Sequence, residues 1–320
     1  MKASAVSSLI VRLALTLRVC GLGEVATLRL LLYIASKPAF GRVEARQEPQ
    51  RFFFSNRVRT DGGGSQVLYA FFALSVANRA GIPYRHRSFS TIEHSRGDRE
   101  AFARRWNKAF DFSAALGSAD NLPVFSLGSR VEVLRALTSQ SNRIGLTSHR
   151  FRDITDEHPE ILEFSRAELK KIFAPEAAEM SDAAAPSGVW FHLRRGDVTA
   201  TTHPGRFTTL ATVLRDAKVV LGAYSSESAP KTVVGQIDQL ERGLLTKEGF
   251  ETTEDDDALQ SLNSLARAPV LVTGVSSFSY LAALLSSGTV VYRDFWHPPM
   301  SDWVSLSTLH ELTEDATASA

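Results

Sequence analysis

Apolar positions along the chain follow two rhythms, which alternate from about residue 51 onward. Short β-branched and aromatic runs bounded by turn formers predict strands at Arg51 to Val58, Ile82 to Phe89, Val189 to Leu193, Val219 to Tyr224, Pro269 to Thr273 and Thr289 to Tyr292. Helical spacing governs Gln66 to Arg79, where Leu68, Phe71, Phe72 and Val76 share a face and Gly81 is placed as a C-terminal cap. Further helices are expected over Arg99 to Phe110, Val131 to Thr138, Ser165 to Phe173, Thr232 to Arg242, Asp257 to Arg267 and Phe278 to Leu285. Strands alternating with helices predict an α/β protein with mainly parallel sheets and helices on both faces. Between Pro175 and Gly188 the composition shifts to Ala, Ser, Asp and Pro, which marks a domain boundary. The expected organisation is an N-terminal segment (1–45), an α/β domain (46–180) and a second one (186–310), the two facing each other across a cleft. The polar tail after Leu312 is expected to fray.

The N-terminal segment changes this picture. Leu9 to Ser36 is apolar, but Arg12, Arg18, Glu24 and Arg29 interrupt it, so it is too broken for a spanning helix or a secretory signal. It reads as a basic amphipathic helix, either packed on the protein or in peripheral contact with a membrane surface. At 320 residues, 44% hydrophobic and 22% charged, the chain is an ordinary globular one. A formal net charge of +1 argues against a nucleic-acid partner and leaves any anion binding to local clusters. Cys20 is the only cysteine, which excludes intrachain disulfides and thiolate zinc sites and fits a reducing compartment. The expected location is cytoplasmic or peripheral membrane, with a Golgi lumen also compatible.

The chemistry concentrates at two strand ends. Val189 to Leu193 runs into Arg194-Arg195-Gly196-Asp197, which puts two guanidiniums where open α/β sheets bind ligands. Adjacent arginines repel, and an anion between them relieves this; planar guanidiniums suit phosphate, so a diphosphate is the first expectation. The bland alternative is a solvated turn or an ion pair with Asp197. Gly274-Val275-Ser276-Ser277-Phe278-Ser279-Tyr280 likewise follows a strand and opens a helix, an anion-binding arrangement. One serine is explained by helix capping, and three invite a ligand.

The combination resembles a known family. His192-Leu193-Arg194-Arg195-Gly196-Asp197 looks like the His-x-Arg-Arg-x-Asp motif of the inverting α1,2- and α1,6-fucosyltransferases. Val272 to Leu285 is similar to that group's third motif, and Gly62-Gly63-Gly64-Ser65-Gln66 resembles its N-terminal glycine loop. The matches run from about Phe53 to Trp303 in the right order. The resemblance implies a GT-B architecture of two Rossmann-like domains, with GDP-fucose as donor, a glycan acceptor, and neither a metal nor a further cofactor. It implies that Arg194 and Arg195 bind the diphosphate, that Asp197 orients them, and that His192 lies along the nucleotide pocket. Ser276, Ser277 and Ser279 would contact phosphate or sugar, and Gly63 and Gly64 would also line the donor site.

Several positions depart from the pattern or compete with it. Thr202 stands where the α1,6 branch carries a glutamate, so His203 is the candidate base, against a plain surface role. Glu227 is a weak substitute for aspartates that some relatives carry near the nucleotide. Asp255-Asp256-Asp257 reads as helix capping, as a nucleotide contact or, in a GT-A enzyme, as manganese ligands. His86, Glu93 and His94 are candidate acceptor contacts or a polar surface loop. Phe295 to Pro299 and Trp303 read as packing rather than sugar binding. The glycine loop lacks Gly-Lys-Ser/Thr and is no P-loop. Two rival functions stay open, a GT-B transferase with another nucleotide sugar and a catalytically silent nucleotide- or glycan-binding protein.

Overall fold

The computed structural model describes residues 3–35, 51–93, 97–175, 186–224, 229–254 and 257–318. The chain divides into two compact units, residues 1–174 and 175–320.

The first unit carries helices α1 (Ala3–Val19) and α2 (Glu24–Ala35), then strand β1 (Phe52–Phe54) and helix α3 (Gly63–Ala80). Helices α4 (Arg99–Ala109) and α5 (Phe112–Leu116), strand β2 (Val124–Ser126), helix α6 (Arg130–Thr138) and strand β3 (Ile144–Thr147) follow, and α7 (Phe151–Glu157) and α8 (Glu160–Ile172) close the unit. Its sheet is three short parallel strands in the order β1-β3-β2. Helix α3 packs against β1, α2, α7 and α8 and buries Phe71, Phe72, Leu74 and Val76. An apolar surface on most sides suits a helix covered all round. Gly81 ends it in the left-handed conformation at φ 65°, as the spacing predicts.

The apolar N-terminal run is two helices rather than one, broken at Gly21, whose φ is 123°. Arg18 is buried there, donating to Leu127 O (3.0 Å) and Gly128 O (3.2 Å), and α1 packs on α6. Among the described residues no helix is long and apolar enough to cross a membrane. Ile82 to Phe89 is not a strand. It forms single bridges, Tyr84 with Phe54 and His86 with Ser118. Two asparagine amides take the backbone groups a ladder would need. Asn56 bonds Arg87 N and O, and Asn107 bonds Phe89 N and O.

In the second unit β4 (Val189–His192), α9 (Leu210–Tyr224), β5 (Lys231–Gly235), α10 (Gln239–Lys247), β6 (Phe250–Glu254), α11 (Ala258–Arg267), β7 (Val270–Val272), α12 (Ser277–Leu285), β8 (Thr289–Tyr292), β9 (Val304–Ser305) and α13 (Leu306–Ala318) follow in order. The strands form one sheet in the order β6-β5-β4-β7-β8-β9, and every pairing is parallel. Counted from β4, this is the doubly wound order 3-2-1-4-5-6.

Two expected elements exchange identity here. Val219 to Tyr224 is the second half of helix α9, because Val213, Ala217, Val220 and Leu221 make one buried helical face. Thr232 to Arg242 is strand β5 followed by helix α10. Val233 and Val234 are β-branched and buried between β4 and β6, and Asp238 caps α10 by accepting from Glu241 N. The tail past Leu312 stays helical to Ala318. Helix α13 is anchored by buried Leu306 and Leu309 and by His310 Nε2, 2.7 Å from the buried Asp216 carboxylate on α9.

Candidate functional site

The chain leaves β4 toward β5 and β6, then returns to the other side of β4 at β7. The carboxyl ends of β4 and β7 therefore flank the switch point of the sheet, where doubly wound sheets bind ligands. Glycines let the strand ends close up. A Cβ at Gly274 would lie 2.4 Å from His192 O, and one at Gly235 would lie 2.4 Å from Leu193 O. Gly196 turns the chain at φ 76°, and a Cβ there would meet Gln236 Oε1 at 2.3 Å. Across the crevice the His192 and Phe278 rings lie 5.3 Å apart, so the arginine turn and the serine loop adjoin.

The two arginines do different things. Arg195 is 7% exposed. It donates through Nε and Nη2 to Glu241 of α10 (3.1 and 2.9 Å) and through Nη2 to Thr208 O (2.9 Å). Its guanidinium also lies over the Phe207 ring at 4.1 Å. A buried, bidentate pair of this kind fixes the start of α10 against the turn and leaves Arg195 little to offer a ligand. Arg194 pairs at one edge with Asp197 (2.6 Å), keeps 23% of its side chain exposed, and has a buried Nε with no hydrogen-bond partner. Asp197 thus orients Arg194, while Glu241 orients Arg195.

A second cation joins Arg194 from a place the sequence did not single out. Arg206, at the end of a short 3-10 turn (Pro204–Arg206), also has a buried Nε without a partner. Its pKa is lowered, first by partial burial and then by the charge of Arg194, with Asp197 opposing. It lies 5.4 Å over Trp296, which is 49% exposed. Arg194 and Arg206 thus present two positive charges against the single carboxylate of Asp197. No local motif announces this; the signal available was an arginine just past the motif.

His192 is buried, and its Nδ1 has no partner among the described residues. Its pKa is pushed down to about 3, chiefly by burial and further by the charges of Arg194 and Arg195. The imidazole is therefore neutral near pH 7. Of the three serines, two have structural duties. Ser276 caps α12 by accepting from Phe278 N, and fully buried Ser279 accepts from Gly274 N at 2.8 Å. Capping thus explains one of them, and a buried hydrogen bond to the preceding turn occupies a second. Ser277 is half-buried at the first position of α12.

His203 is exposed, with Nδ1 3.2 Å from Thr202 Oγ1 on a threonine-rich turn, and no acid or base partner holds it among the described residues. Gly63 and Gly64 belong to the first turn of α3 rather than to a loop. Gly63 is there for packing, since a Cβ would lie 2.4 Å from the Trp106 ring. Glu93 is exposed beside Gly62, and His86 is buried in the first unit. His94, Glu227, Asp255 and Asp256 lie outside the described residues. Asp257 caps α11, accepting from Leu259 N and Gln260 N. Among the described residues no group of three His, Cys, Asp or Glu is arranged to hold a metal ion. Trp303 and His297 pack around Tyr280 at ring distances of 5.2 and 5.0 Å, as expected, while Trp296 does not.

No family model and no curated protein matches the chain. Among solved structures it is similar to the fucosyltransferase NodZ from Bradyrhizobium, at 13% identity over 79% of this chain and 98% of that one, with a TM-score of 0.37. It is also similar to POFUT1 in complex with GDP-fucose, at 14% identity over 78% of this chain and 75% of that one, with a TM-score of 0.29. A mutant of Arabidopsis thaliana FUT1 in complex with GDP is 9% identical over 95% of this chain and 80% of that one, with a TM-score of 0.37.

Proposed function

We propose that this chain is a GT-B glycosyltransferase that moves fucose from GDP-fucose to a carbohydrate hydroxyl, with inversion and without a metal. One observation carries the reading. The His-x-Arg-Arg-x-Asp turn and the serine loop, two of the three motifs that resemble the fucosyltransferases, flank the switch point of a 3-2-1-4-5-6 sheet.

In this reading the diphosphate sits between Arg194 and Arg206, against the N-terminus of α12 and the hydroxyl of Ser277. Breaking the sugar–phosphate bond builds negative charge on the departing diphosphate, and cations already in place stabilise that charge. Neutral His192 adds no third positive charge and lines the pocket. Trp296 supplies an exposed aromatic face beside Arg206 for the base or the sugar. With Thr202 in place of a glutamate and His203 exposed, departure of the diphosphate leads and base assistance is slight.

Titration calorimetry of the full chain with GDP, UDP and ADP tests the donor class. GDP should bind more tightly than the other two. Equal binding of all three would favour another nucleotide sugar, and no binding would remove the reading. Transfer from GDP-fucose to an acceptor panel should survive EDTA. Tight GDP binding with no turnover would favour the silent binding protein, the reading that Thr202 supports.

A further inference from the structure

The first unit carries a surface that the nucleotide reading does not use. Only one side of helix α1 is covered. Val11, Ala14, Leu15 and Arg18 are buried, while Arg12, Leu13, Thr16 and Leu17 face outward. Helix α6 repeats the division, with Val133 and Ala136 buried and Val131, Leu134 and Arg135 exposed. The two helices pack on each other, and Arg18 ties the end of α1 to the turn that opens α6, through Leu127 O and Gly128 O. Leu13, Leu17, Val131 and Leu134 are between 39% and 61% exposed, so a packed pair of helices leaves two apolar stripes open. Phe164 on α8, by contrast, is exposed singly. Grouped apolar exposure marks a contact surface, whereas single residues need no explanation.

Charge decides what this surface meets. Arg12, Arg130 and Arg135 are exposed on the same two helices. Helix α1 has no acidic residue, and α6 has one, Glu132. Glu132 is engaged with the protein, its Oε2 accepting from Ser126 N at 2.6 Å. Glu24, which opens α2, is also turned inward: only 10% of its side chain is exposed, and it accepts from Ser148 Oγ. The outward face of α1 and α6 therefore combines branched apolar side chains with guanidiniums. A second copy suits it poorly, because two-fold pairing sets a patch against itself and would bring cations onto cations. An anionic bilayer suits both halves. Arginine stems lie along apolar surface and carry their charge to the phosphates, and leucines enter the boundary between headgroups and acyl chains. Helices docked this way lie along a membrane and need not be long enough to cross it.

We infer that the outward face of α1 and α6 docks on the surface of a bilayer that contains anionic phospholipids.

The test is co-sedimentation of the full-length chain with vesicles of phosphatidylglycerol and phosphatidylcholine in equal amounts, against vesicles of phosphatidylcholine alone. The chain should bind the anionic vesicles much more tightly, and added salt should weaken that binding. Arg12→Gln, Arg130→Gln and Arg135→Gln together should weaken it about a hundredfold, at about fivefold for each arginine. Leu13→Glu with Leu134→Glu should weaken it about tenfold or more. Phe164→Glu should leave it unchanged. Circular dichroism and melting of each variant report whether it folds, and the arginine variant, which alters only exposed side chains, decides if the leucine variant does not. Binding to anionic vesicles no tighter than to phosphatidylcholine would overturn the inference and leave the face to an acidic protein. Undiminished binding by a folded arginine variant would also overturn it. A dimer in light scattering that Leu13→Glu with Leu134→Glu dissolves would overturn it in favour of a second copy. Vesicle binding is read without nucleotide, so no outcome depends on the donor reading.

Discussion

Each unit holds a buried histidine whose pKa is pushed down to about 3, His86 in the first and His192 in the second, yet the two are surrounded by opposite kinds of neighbour. His86 lies among Phe89, Phe112 and Tyr84, and burial is what lowers its pKa, with Asp120 pulling slightly the other way. His192 is buried too, but Arg194 and Arg195 push in the same direction as burial. A neutral ring arises in both places, by apolar enclosure in one and by enclosure plus positive charge in the other. The surplus positive charge at His192 suits an anion, whereas the charge acting on His86 is the carboxylate of Asp120. A buried histidine taken alone identifies no site; its neighbours do.

The sharpest way to break this comparison is through the arginines. Arg195→Ala should destabilise the second unit by about 3–5 kcal/mol, because it strands the Glu241 carboxylate against the protein. Arg194→Ala should change stability by about 1 kcal/mol or less and instead weaken GDP binding about tenfold or more. Urea unfolding and calorimetry on both variants would decide, and a reversed pattern would return the anion to Arg195.

A smaller effect should appear with pH. Both histidines have folded pKa values of about 3, below the unfolded value near 6.5. Between these limits the unfolded chain binds protons that the folded chain refuses. Stability should therefore fall as pH drops from about 6.5 toward 3, with a limiting slope of about 1.4 kcal/mol per pH unit for each histidine. His86→Phe and His192→Phe should each remove one such contribution, from the first and the second unit respectively, in unfolding measured from pH 4 to 7. A slope unchanged by both substitutions would show that neither ring is held neutral.

The smallest contrast lies within the serine loop. Ser279→Ala should cost about 1–3 kcal/mol of stability, by leaving Gly274 N without its buried partner. Ser277→Ala should leave the melting temperature unchanged and weaken GDP binding by less than about tenfold. Equal behaviour of the two variants in melting and binding would mean that Ser277 also serves only the fold.

What the chain announces locally is legible in its order of residues. Strand β4, its arginine turn, helix α12 behind its serines and the left-handed stop at Gly81 all depend on neighbours within a few positions. Val219 to Tyr224 and Thr232 to Arg242 misled because a short apolar run does not reveal its own period; burial of one helical face, or pairing on both sides, decides it. The roles of the charged residues were decided still farther away. Arg195 is claimed by Glu241, 46 positions on, and Arg206 joins Arg194 only once the turn has folded back. The His86 ring meets the Tyr84 hydroxyl, which donates to Asn56, thirty residues before the histidine in the chain. Sequence by itself determined the alternating grammar of strands and helices and the arrival of two guanidiniums and three hydroxyls at strand ends. Only the tertiary structure decided which of those groups stay available to a ligand, because a polar group's availability is set by the partners that packing brings within hydrogen-bond reach.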